Sequence, residues 1–366
     1  MNSPDSSAGI LTIDLAELKR NWQRLKSRLN SADCGAVIKA EAYGLGAGRA
    51  IVQLCQAGCT EFFVALIDEG VYLRKVLCDV GLKANIHILG GPMAAGQTLE
   101  EFNLIPVLNS LVDIAFWKEK HPQAPADIHI DTGMARLGLS PSEVEMLQKE
   151  PQRIKGLNIS YVISHLACSE DFKTTMNADQ LKSFHQALTL FPGCKASLAN
   201  SSGIFLGDKY FFNLARPGAA LYGINPTPGK PNPMGQVIRL QGKILQVREV
   251  NAPQTVGYGA THQIKGQGLI ATVGVGYADG YPRSLSNRGF GFLGGVQVPI
   301  VGRVSMDLTT FDVSNVPEQL AHPGALIDLI GPIIPVDDVA DAAGTIGYEI
   351  LTSLGHRYQR IYKTIY

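Results

Sequence analysis

The sequence predicts an α/β protein in which an N-terminal (β/α)8 barrel of the TIM type precedes a mainly β C-terminal domain. Eight short apolar runs recur roughly every 20 to 35 residues over positions 35–223, with amphipathic segments between them. A segment rich in proline and glycine follows, and longer alternating runs come after it. A chain of 366 residues has room for two such domains at about 150 residues each.

The predicted barrel begins with a helix. Apolar residues at helical spacing run from Leu15 to Leu29, and Asp14 with Glu17 has the pattern of a capping box. The apolar runs that follow are each short enough to be a buried strand, and they lie at 35–39, 61–66, 85–89, 104–108, 127–130, 161–165, 195–199 and 218–223. Strands that alternate with helices are typical of parallel βαβ units, and eight such units form a (β/α)8 barrel. A doubly wound open sheet is the alternative.

The character of the sequence changes after NPTPGKPNPMG (225–235), which has the composition of a linker. Runs that alternate with period two predict antiparallel strands at 237–250, 268–277 and 296–306. One helix is predicted over 344–357, and RIYKTIY at the end of the chain is predicted to be a closing strand. The predicted domains are therefore an extension over 1–10, the barrel over 11–235 and the β-domain over 236–366.

Composition excludes several classes of protein. The 32 basic residues balance the 32 acidic ones, so the chain lacks the basic surface that nucleic acid or anionic lipid requires. A content of 45% hydrophobic residues excludes general disorder. The polar start, MNSPDSSAGI, predicts no signal peptide, and no apolar run is long enough to span a membrane. We therefore expect a cytoplasmic protein without nucleic-acid or membrane partners.

The six cysteines are scattered, which does not indicate a disulfide framework and is consistent with a reducing cytoplasm. Cys55 and Cys59 lie four residues apart and could share one face of a helix. They could be a metal pair or small buried apolar residues. No cluster of His or Cys accompanies them, so we expect no metal site.

Chemically useful residues follow several predicted strands, where (β/α)8 barrels carry their active sites. Lys39 closes the first run, and desolvation there would lower the pKa of its amine and leave it nucleophilic. Such a lysine can form a Schiff base with an aldehyde cofactor, although a strand-end lysine can also be structural. Arg136, His165 and Arg216 follow later runs. The small residues Asn200–Gly203 follow the seventh run, where barrels commonly bind phosphate through backbone N–H groups.

Nine motifs carry a specific resemblance. In chain order they are VIKAEAYGLG, IDTGMARLGL, SHLA, ANSSG, ARPGAALYG, VGYGA, VGYADGYPR, VGRVSMD and GTIGYEIL, and they span nearly the whole chain. The chain thereby resembles the alanine racemases, which have an N-terminal barrel and a C-terminal β-domain. The resemblance implies a homodimeric isomerase that uses pyridoxal 5'-phosphate and interconverts L-alanine and D-alanine. It also implies active sites shared across the dimer interface and a role in supplying D-alanine for peptidoglycan.

The resemblance also assigns residues to roles. Lys39 resembles the residue that binds pyridoxal phosphate covalently and is the base for one face of the substrate α-carbon. Tyr258 resembles the base for the opposite face, which the partner subunit supplies. The implied cofactor-binding residues are Lys39, Tyr43, His165, Ser201, Arg216, Gly218, Ala219 and Tyr348. Arg136 and the backbone of Met306 are implied near the substrate, and Tyr277 and Asp307 at the entrance to the site.

The chemistry explains these residue types. Inversion of a stereocentre requires that a proton leaves one face and that another arrives on the opposite face, so two bases are expected. Lysine and tyrosine have reference pKa values of about 10.4 and 10, and both must be lowered for work near neutrality. Arg216, implied to face the pyridine nitrogen, cannot release a proton to it. It would therefore weaken the ring as an electron sink and suppress decarboxylation and transamination.

Two positions depart from the family pattern. Many members carry a lysine, modified to a carbamate that orients the arginine, where this chain has His129. Arg136 must therefore be oriented by another group, such as His129, water or a bound anion. The second departure is Leu45, where a histidine is common.

Three alternative functions stay open. They are a serine or broad-specificity racemase of this fold, a pyridoxal-phosphate carrier without turnover, and a decarboxylase of related architecture. The β-domain and Tyr258 argue against the carrier. Arg216 argues against the decarboxylase, because those enzymes resemble this chain in architecture but usually place an acidic residue against the pyridine nitrogen.

Overall fold

The computed structural model describes residues 7–364, which divide into two compact units. The barrel unit comprises Leu18–Leu221 and Asn225–Gly235. The C-terminal unit comprises the chain up to Glu17, Tyr222–Ile224 and the chain from Gln236 onward. Residues 1–6 of the predicted extension, and the last two residues of the predicted closing strand, lie outside the described residues.

The described chain opens with strand β1 (Gly9–Asp14) and helix α1 (Leu15–Ser27). The predicted cap is present, because the Asp14 carboxylate accepts a hydrogen bond from the backbone N–H of Glu17 at 2.7 Å. A short strand, β2 (Asp33–Cys34), follows the helix.

Seven parallel strands in chain order form the sheet of the barrel unit, and they match the first seven predicted runs. They are β3 (Ala36–Val37), β4 (Glu61–Val64), β5 (Asn85–Ile88), β6 (Leu104–Leu108), β7 (Pro125–His129), β8 (Asn158–Ile163) and β9 (Lys195–Ser197). The helices between them are α2 (Ala47–Gln56), α3 (Ile67–Asp79), α4 (Gly96–Glu101), α5 (Leu111–Lys120), α6 (Pro141–Lys149) and α7 (Met176–Leu188). Alternating strands and helices of this kind confirm the α/β prediction.

The eighth predicted strand, at 218–223, is wrong. Residues Ala219–Tyr222 form a 3-10 helix, and the strand at this position is β10 (Leu214–Ala215), which pairs in parallel with β2. All four residues of the 3-10 helix are buried, so the run has the apolar composition of a buried strand without being one.

The segment that contains β10 closes the ring of strands. The backbone N–H of Arg216 donates to the carbonyl of Ala199 at 2.8 Å, and that of Val37 donates to the carbonyl of Pro217 at 2.9 Å. This segment therefore bonds to the chain after β9 on one side and to β3 on the other. Pro217 has no N–H to donate, which limits β10 to two residues.

The C-terminal unit is built on an eight-stranded sheet with β11 at its centre. Its remaining strands are β11 (Ile238–Asn251), β14 (Gln267–Val273), β15 (Phe290–Leu293), β16 (Val296–Pro299), β17 (Thr309–Asp312), β18 (Leu326–Ile330) and β19 (Gln359–Lys363), and β12 (Gln254–Val256) pairs separately with β13 (His262–Ile264). Strand β11 pairs antiparallel with β1, β14 and β18. The antiparallel pairing predicted for this part of the chain is therefore present.

Two features of the C-terminal unit differ from the sequence expectation. Strand β1, most of which was assigned to the barrel, pairs with β11 and β19, and it buries Leu11 and Ile13 there. The helix predicted over 344–357 is shorter in the structure, where α9 covers Gly347–Ser353. An additional helix, α8 (Val336–Ala343), precedes it and ends at Gly344, whose φ of +74° is typical of a helix C-terminus. Among the described helices, none has both the length and the apolar character needed to cross a membrane.

Candidate active site

Lys39 lies at the carboxyl end of β3, and the chain then makes a left-handed turn. The next four residues, Ala40 to Tyr43, all have φ between 51° and 56°. This conformation costs roughly 1–2 kcal/mol for each L-residue and persists only where the surroundings impose it. Part of the support is local, because the N–H of Ala42 donates to the Ile38 carbonyl at 3.0 Å and that of Gly46 to the Glu41 carbonyl at 2.9 Å.

Glu69 on α3 supplies the rest of that support. Its carboxylate accepts hydrogen bonds from the N–H of Ala40 at 2.6 Å and from those of Ala65 and Leu66 at 2.8 and 3.0 Å. One carboxylate thereby ties the backbone after β3 to the backbone after β4. The sequence analysis missed Glu69, although its place three residues after Leu66, at the start of a helix, was an available signal.

The amine of Lys39 has a lowered pKa. Partial burial is the largest cause, the charge of Arg136 adds to it, and the charge of Glu69 opposes it. This is the direction predicted from a lysine that closes an apolar strand. A larger fraction of the amine is therefore neutral near pH 7, as a nucleophile or base requires.

Arg216 is 4% exposed, and its guanidinium donates to the Oγ of Ser197 and to the carbonyl of Ser164. Burial lowers its pKa to about 10, and the charge of Asp127 opposes that effect. The guanidinium is thus a fixed cation at neutral pH, with a hydroxyl and a carbonyl as its hydrogen-bond partners. Ser164 and Ser197 were not assigned from the sequence.

Two histidines of the barrel unit are neutral at pH 7. The pKa of His165 is lowered to about 3 and that of His129 to about 4. For both histidines burial is the largest cause, and the charge of Arg216 is the second largest. Nδ1 of His129 lies 2.8 Å from Oδ1 of Asn109, whose amide donates to two backbone carbonyls. Because Asn109 accepts at this contact, His129 carries its proton on Nδ1 and keeps a lone pair on Nε2.

Tyr43, Ser201, Gly218 and Ala219 are brought together at the end of β10. The Oγ of Ser201 accepts hydrogen bonds from the N–H of Gly218 at 3.0 Å and from that of Ala220 at 3.2 Å. A Cβ at position 218 would lie 2.3 Å from the Tyr43 hydroxyl, so only glycine fits there. Burial raises the pKa of the Tyr43 hydroxyl, which therefore stays protonated as a donor.

Gln180, on α7, joins several parts of this site and was also missed. Its Nε2 donates to Oγ1 of Thr132 at 3.0 Å and to the carbonyl of His165 at 2.9 Å, and its Oε1 accepts from Ala167 N–H at 2.8 Å. Thr132 belongs to the exposed loop that carries Arg136, and its hydroxyl lies 2.8 Å from that of Ser164. One buried amide therefore connects the loop that follows β7 to the chain that follows β8.

Replacement of Gln180 by alanine is expected to destabilise the protein by about 1–3 kcal/mol, because buried groups lose their hydrogen-bond partners. Urea unfolding followed by circular dichroism measures this loss. Gln186→Ala, an exposed position on the same helix, is the matched control and is expected to change stability by less than about 0.5 kcal/mol. Equal unfolding midpoints for the two variants would contradict the linking role of Gln180.

The remaining predicted residues belong to the C-terminal unit. Tyr258 is 74% exposed and lies between two glycines whose φ is +72°.

The N–H of Tyr277 donates to the Ser305 carbonyl at 3.0 Å, which places Tyr277 beside Met306 and Asp307. Arg357 bridges Asp307 at 2.8 Å and Asp279 at 3.0 Å. Tyr348 is half-buried on α9. The structure thus groups the two entrance residues with Met306 inside one unit.

Comparisons with known proteins agree along the whole chain. The family model for the alanine racemase N-terminal domain matches residues 13–226, and that for the C-terminal domain matches residues 237–362. The alanine racemase of Rhodospirillum rubrum is 51% identical and covers 99% of this chain and 98% of its own. The catabolic alanine racemase of Mesorhizobium japonicum is 44% identical, over 98% of this chain and 94% of its own.

Solved structures give the same result. The crystal structure of alanine racemase from Bartonella henselae, with covalently bound pyridoxal phosphate, has a TM-score of 0.92 and 40% identity over 98% of this chain and 100% of its own. That of the biosynthetic alanine racemase from Pseudomonas aeruginosa has a TM-score of 0.90 and 30% identity, with the same coverage. The fold and the resemblance predicted from the sequence are confirmed, and the chain belongs to the alanine racemase family.

Proposed function

We propose that this chain is a pyridoxal-phosphate-dependent alanine racemase that interconverts L-alanine and D-alanine. The observation that carries the proposal is Lys39, a half-buried lysine with a lowered pKa at the carboxyl end of a barrel strand. Its sequence surroundings are those of a family whose members at 51% and 44% identity bear this activity in their names.

The residues of the barrel unit fit the cofactor. The Ser201 hydroxyl, which accepts from the N–H groups of Gly218 and Ala220 and still has its own O–H to donate, and the protonated Tyr43 hydroxyl both lie beside Gly218, and such donors suit a phosphate. Lys39 has the chemistry to bind the aldehyde, and Arg216 supplies a fixed cation for the pyridine nitrogen. The barrel residues that would hold the group are Lys39, Tyr43, His165, Ser201, Arg216, Gly218 and Ala219, and the family resemblance adds Tyr348 of the C-terminal unit. When bound, pyridoxal phosphate withdraws electrons and acidifies the C–H bond of the amino-acid α-carbon.

The chain then needs two proton acceptors. Lys39 serves one face of the α-carbon, since its lowered pKa leaves the amine free to accept a proton near neutrality. Tyr258 serves the other face through its hydroxyl. Arg136 and the backbone of Met306 hold the substrate carboxylate, and the neutral Nε2 of His129 is an acceptor that orients the Arg136 guanidinium.

We propose that two copies of this chain form a homodimer and that each site takes Tyr258 from the partner. The exposure of Tyr258, Tyr277 and Met306, at 74%, 42% and 55%, supports this arrangement because large side chains of this kind are typical of interfaces. Tyr277 and Asp307 would line the entrance. We place the enzyme in the cytoplasm and assign it the supply of D-alanine for peptidoglycan.

Proton NMR of L-alanine with the pyridoxal-phosphate-loaded protein in D₂O tests the function. Loss of the α-proton signal with the appearance of D-alanine in chiral analysis is the expected result. The same experiment with L-serine measures the breadth of specificity. Absence of exchange with alanine, together with exchange with serine, would favour the serine racemase alternative, and absence of both would favour the carrier.

A further inference from the structure

Three charged side chains form a cluster inside the barrel unit, and none of them was assigned to the active site. The cluster consists of Glu61 on β4, His87 on β5 and Asp127 on β7. Nδ1 of His87 lies 2.6 Å from Oδ2 of Asp127, and Nε2 lies 2.8 Å from Oε2 of Glu61. His87 and Asp127 are wholly buried, and Glu61 is nearly so. Charges at such depth are stable only when they are paired and hydrogen-bonded.

The geometry determines the charge of the cluster. A neutral imidazole has one N–H, but both nitrogens of His87 face carboxyl oxygens, so with both carboxyls ionised the ring carries two protons. The other carboxylate oxygens also accept hydrogen bonds: Oδ1 of Asp127 from the N–H of Tyr161 at 3.1 Å, and Oε1 of Glu61 from the amide of Asn85 at 2.9 Å. The two carboxylates outweigh burial and raise the pKa of His87 to about 9. One cation and two anions leave a net charge of −1.

An aromatic ring connects this cluster to Arg216. Phe63 stacks on His87 with a centroid distance of 4.4 Å and an interplanar angle of 16°. The guanidinium carbon of Arg216 lies 5.8 Å from the centroid of the same ring, within the range of a cation–π contact. Two cations, the His87 imidazolium and the Arg216 guanidinium, thus lie near the Phe63 ring, and the two carboxylates of the cluster are anions that can balance them.

Arg216 itself requires a counter-charge. It is buried, yet its hydrogen-bond partners are the Ser197 hydroxyl and the Ser164 carbonyl, which are neutral. A buried cation with neutral partners is costly unless a negative charge lies nearby. Asp127 is the anion whose charge acts on Arg216. The net charge of the cluster, −1, equals the charge of Arg216 in magnitude.

We propose that the Glu61–His87–Asp127 cluster is the buried counter-charge of Arg216, and that its members are positioning residues for the racemase site. The inference deepens the proposed function and rests on it. A carboxylate in direct contact with Arg216 would occupy its N–H donors and would present an anion to the ligand. A counter-charge placed beyond the Phe63 ring keeps the guanidinium cationic and leaves its donors directed at neutral partners.

A double-mutant cycle on the cofactor-free protein tests the counter-charge directly. The cycle combines Glu61→Gln/Asp127→Asn, which removes both anions so that His87 cannot restore the charge by releasing a proton, with Arg216→Met, and urea unfolding is measured for each variant and for the combination. Because either change leaves a charge unbalanced, we expect the combined variant to be more stable than the sum of the separate effects, with a coupling of about tenfold in the unfolding equilibrium. A second cycle, with Glu61→Gln/Asp127→Ser in place of the first pair, is measured as well.

Asn177→Ala is the matched control, since it removes the two hydrogen bonds of a buried amide in the same barrel unit without a change of charge. Its effect is expected to add to that of Arg216→Met. Additive effects in both charge cycles would overturn the proposal. The cycle uses no substrate, so this result is independent of whether the chain racemises alanine.

The second readout is the visible absorbance of the pyridoxal-phosphate-loaded protein as a function of pH. Loss of the net negative charge of the cluster lowers the pKa of nearby cationic groups, so the pH midpoint of the absorbance change is expected to fall by about 0.5 to 1 unit in Glu61→Gln/Asp127→Asn. The midpoint of Asn177→Ala is expected to equal that of the wild type. Coupling in the cycle without this shift would overturn the role of the cluster in the site.

Discussion

Subunits that carry Lys39→Ala and subunits that carry Tyr258→Phe are expected to be inactive alone and to regain activity when mixed. Each change removes one of the two proposed bases. If Tyr258 acts in the partner's site, a mixed dimer contains one intact site and one site that lacks both bases. Random exchange of subunits then gives about a quarter of the wild-type activity, because half of the dimers are mixed and each has one working site.

Racemase activity after co-refolding of equal amounts of the two variants measures this recovery. A mixture of Lys39→Ala with Lys39→Arg is the matched control, since no dimer in it contains an intact site. Size-exclusion chromatography with differently tagged subunits verifies that mixed dimers form. If they form and the activity stays at background, the shared-site proposal is wrong.

Tyr258→Phe is expected to separate α-proton exchange from inversion. The change removes one hydroxyl and leaves the ring, so one face of the α-carbon loses its base while Lys39 still serves the other face. Racemisation is expected to fall by about 10²–10⁴-fold, as for loss of a general acid or base. Exchange with solvent is expected to persist for the one enantiomer whose α-proton faces Lys39.

Parallel proton NMR experiments in D₂O, one with L-alanine and one with D-alanine, measure exchange, and chiral chromatography measures inversion. Tyr277→Phe is the control, because Tyr277 is another exposed tyrosine of the C-terminal unit and has no proposed base function. Equal exchange of both enantiomers by Tyr258→Phe, or undiminished inversion, would exclude Tyr258 as the second base.

Much of the fold could be predicted because its signal is local. Seven of the predicted strands are present, since a buried parallel strand is a short apolar run wherever it occurs. The eighth prediction failed because the apolar residues Ala219–Tyr222 are buried in a 3-10 helix instead. Strand β1 was not predicted, and most of its residues were placed within the bounds of the barrel, because adjacency in the chain does not determine which distant strand a segment pairs with. Its partners, β11 and β19, lie more than 200 residues away in the sequence.

The candidate site also contains some residues that the sequence identifies and others that it does not. Lys39, Arg216 and Tyr258 stand in contiguous motifs and could be assigned from them. Glu69 had a local signal as a residue of a helix N-terminus, but its contact with Ala40, 29 positions away, had none, and neither had the contact of Gln180 with Thr132, 48 positions away. Such a partnership has no local pattern and exists only after the strands have been brought together.

The sequence by itself determined the fold class, the family and the chemical types available at the ends of the strands. Apolar periodicity and contiguous motifs carry that information, and both are properties of neighbouring residues. Only the tertiary structure decided which charges are buried and what balances them. The neutral His165 and the Glu61–His87–Asp127 cluster both depend on desolvation and on charges brought from distant strands. Burial and long-range electrostatics arise from the packed arrangement, and the linear chain does not contain them as a pattern.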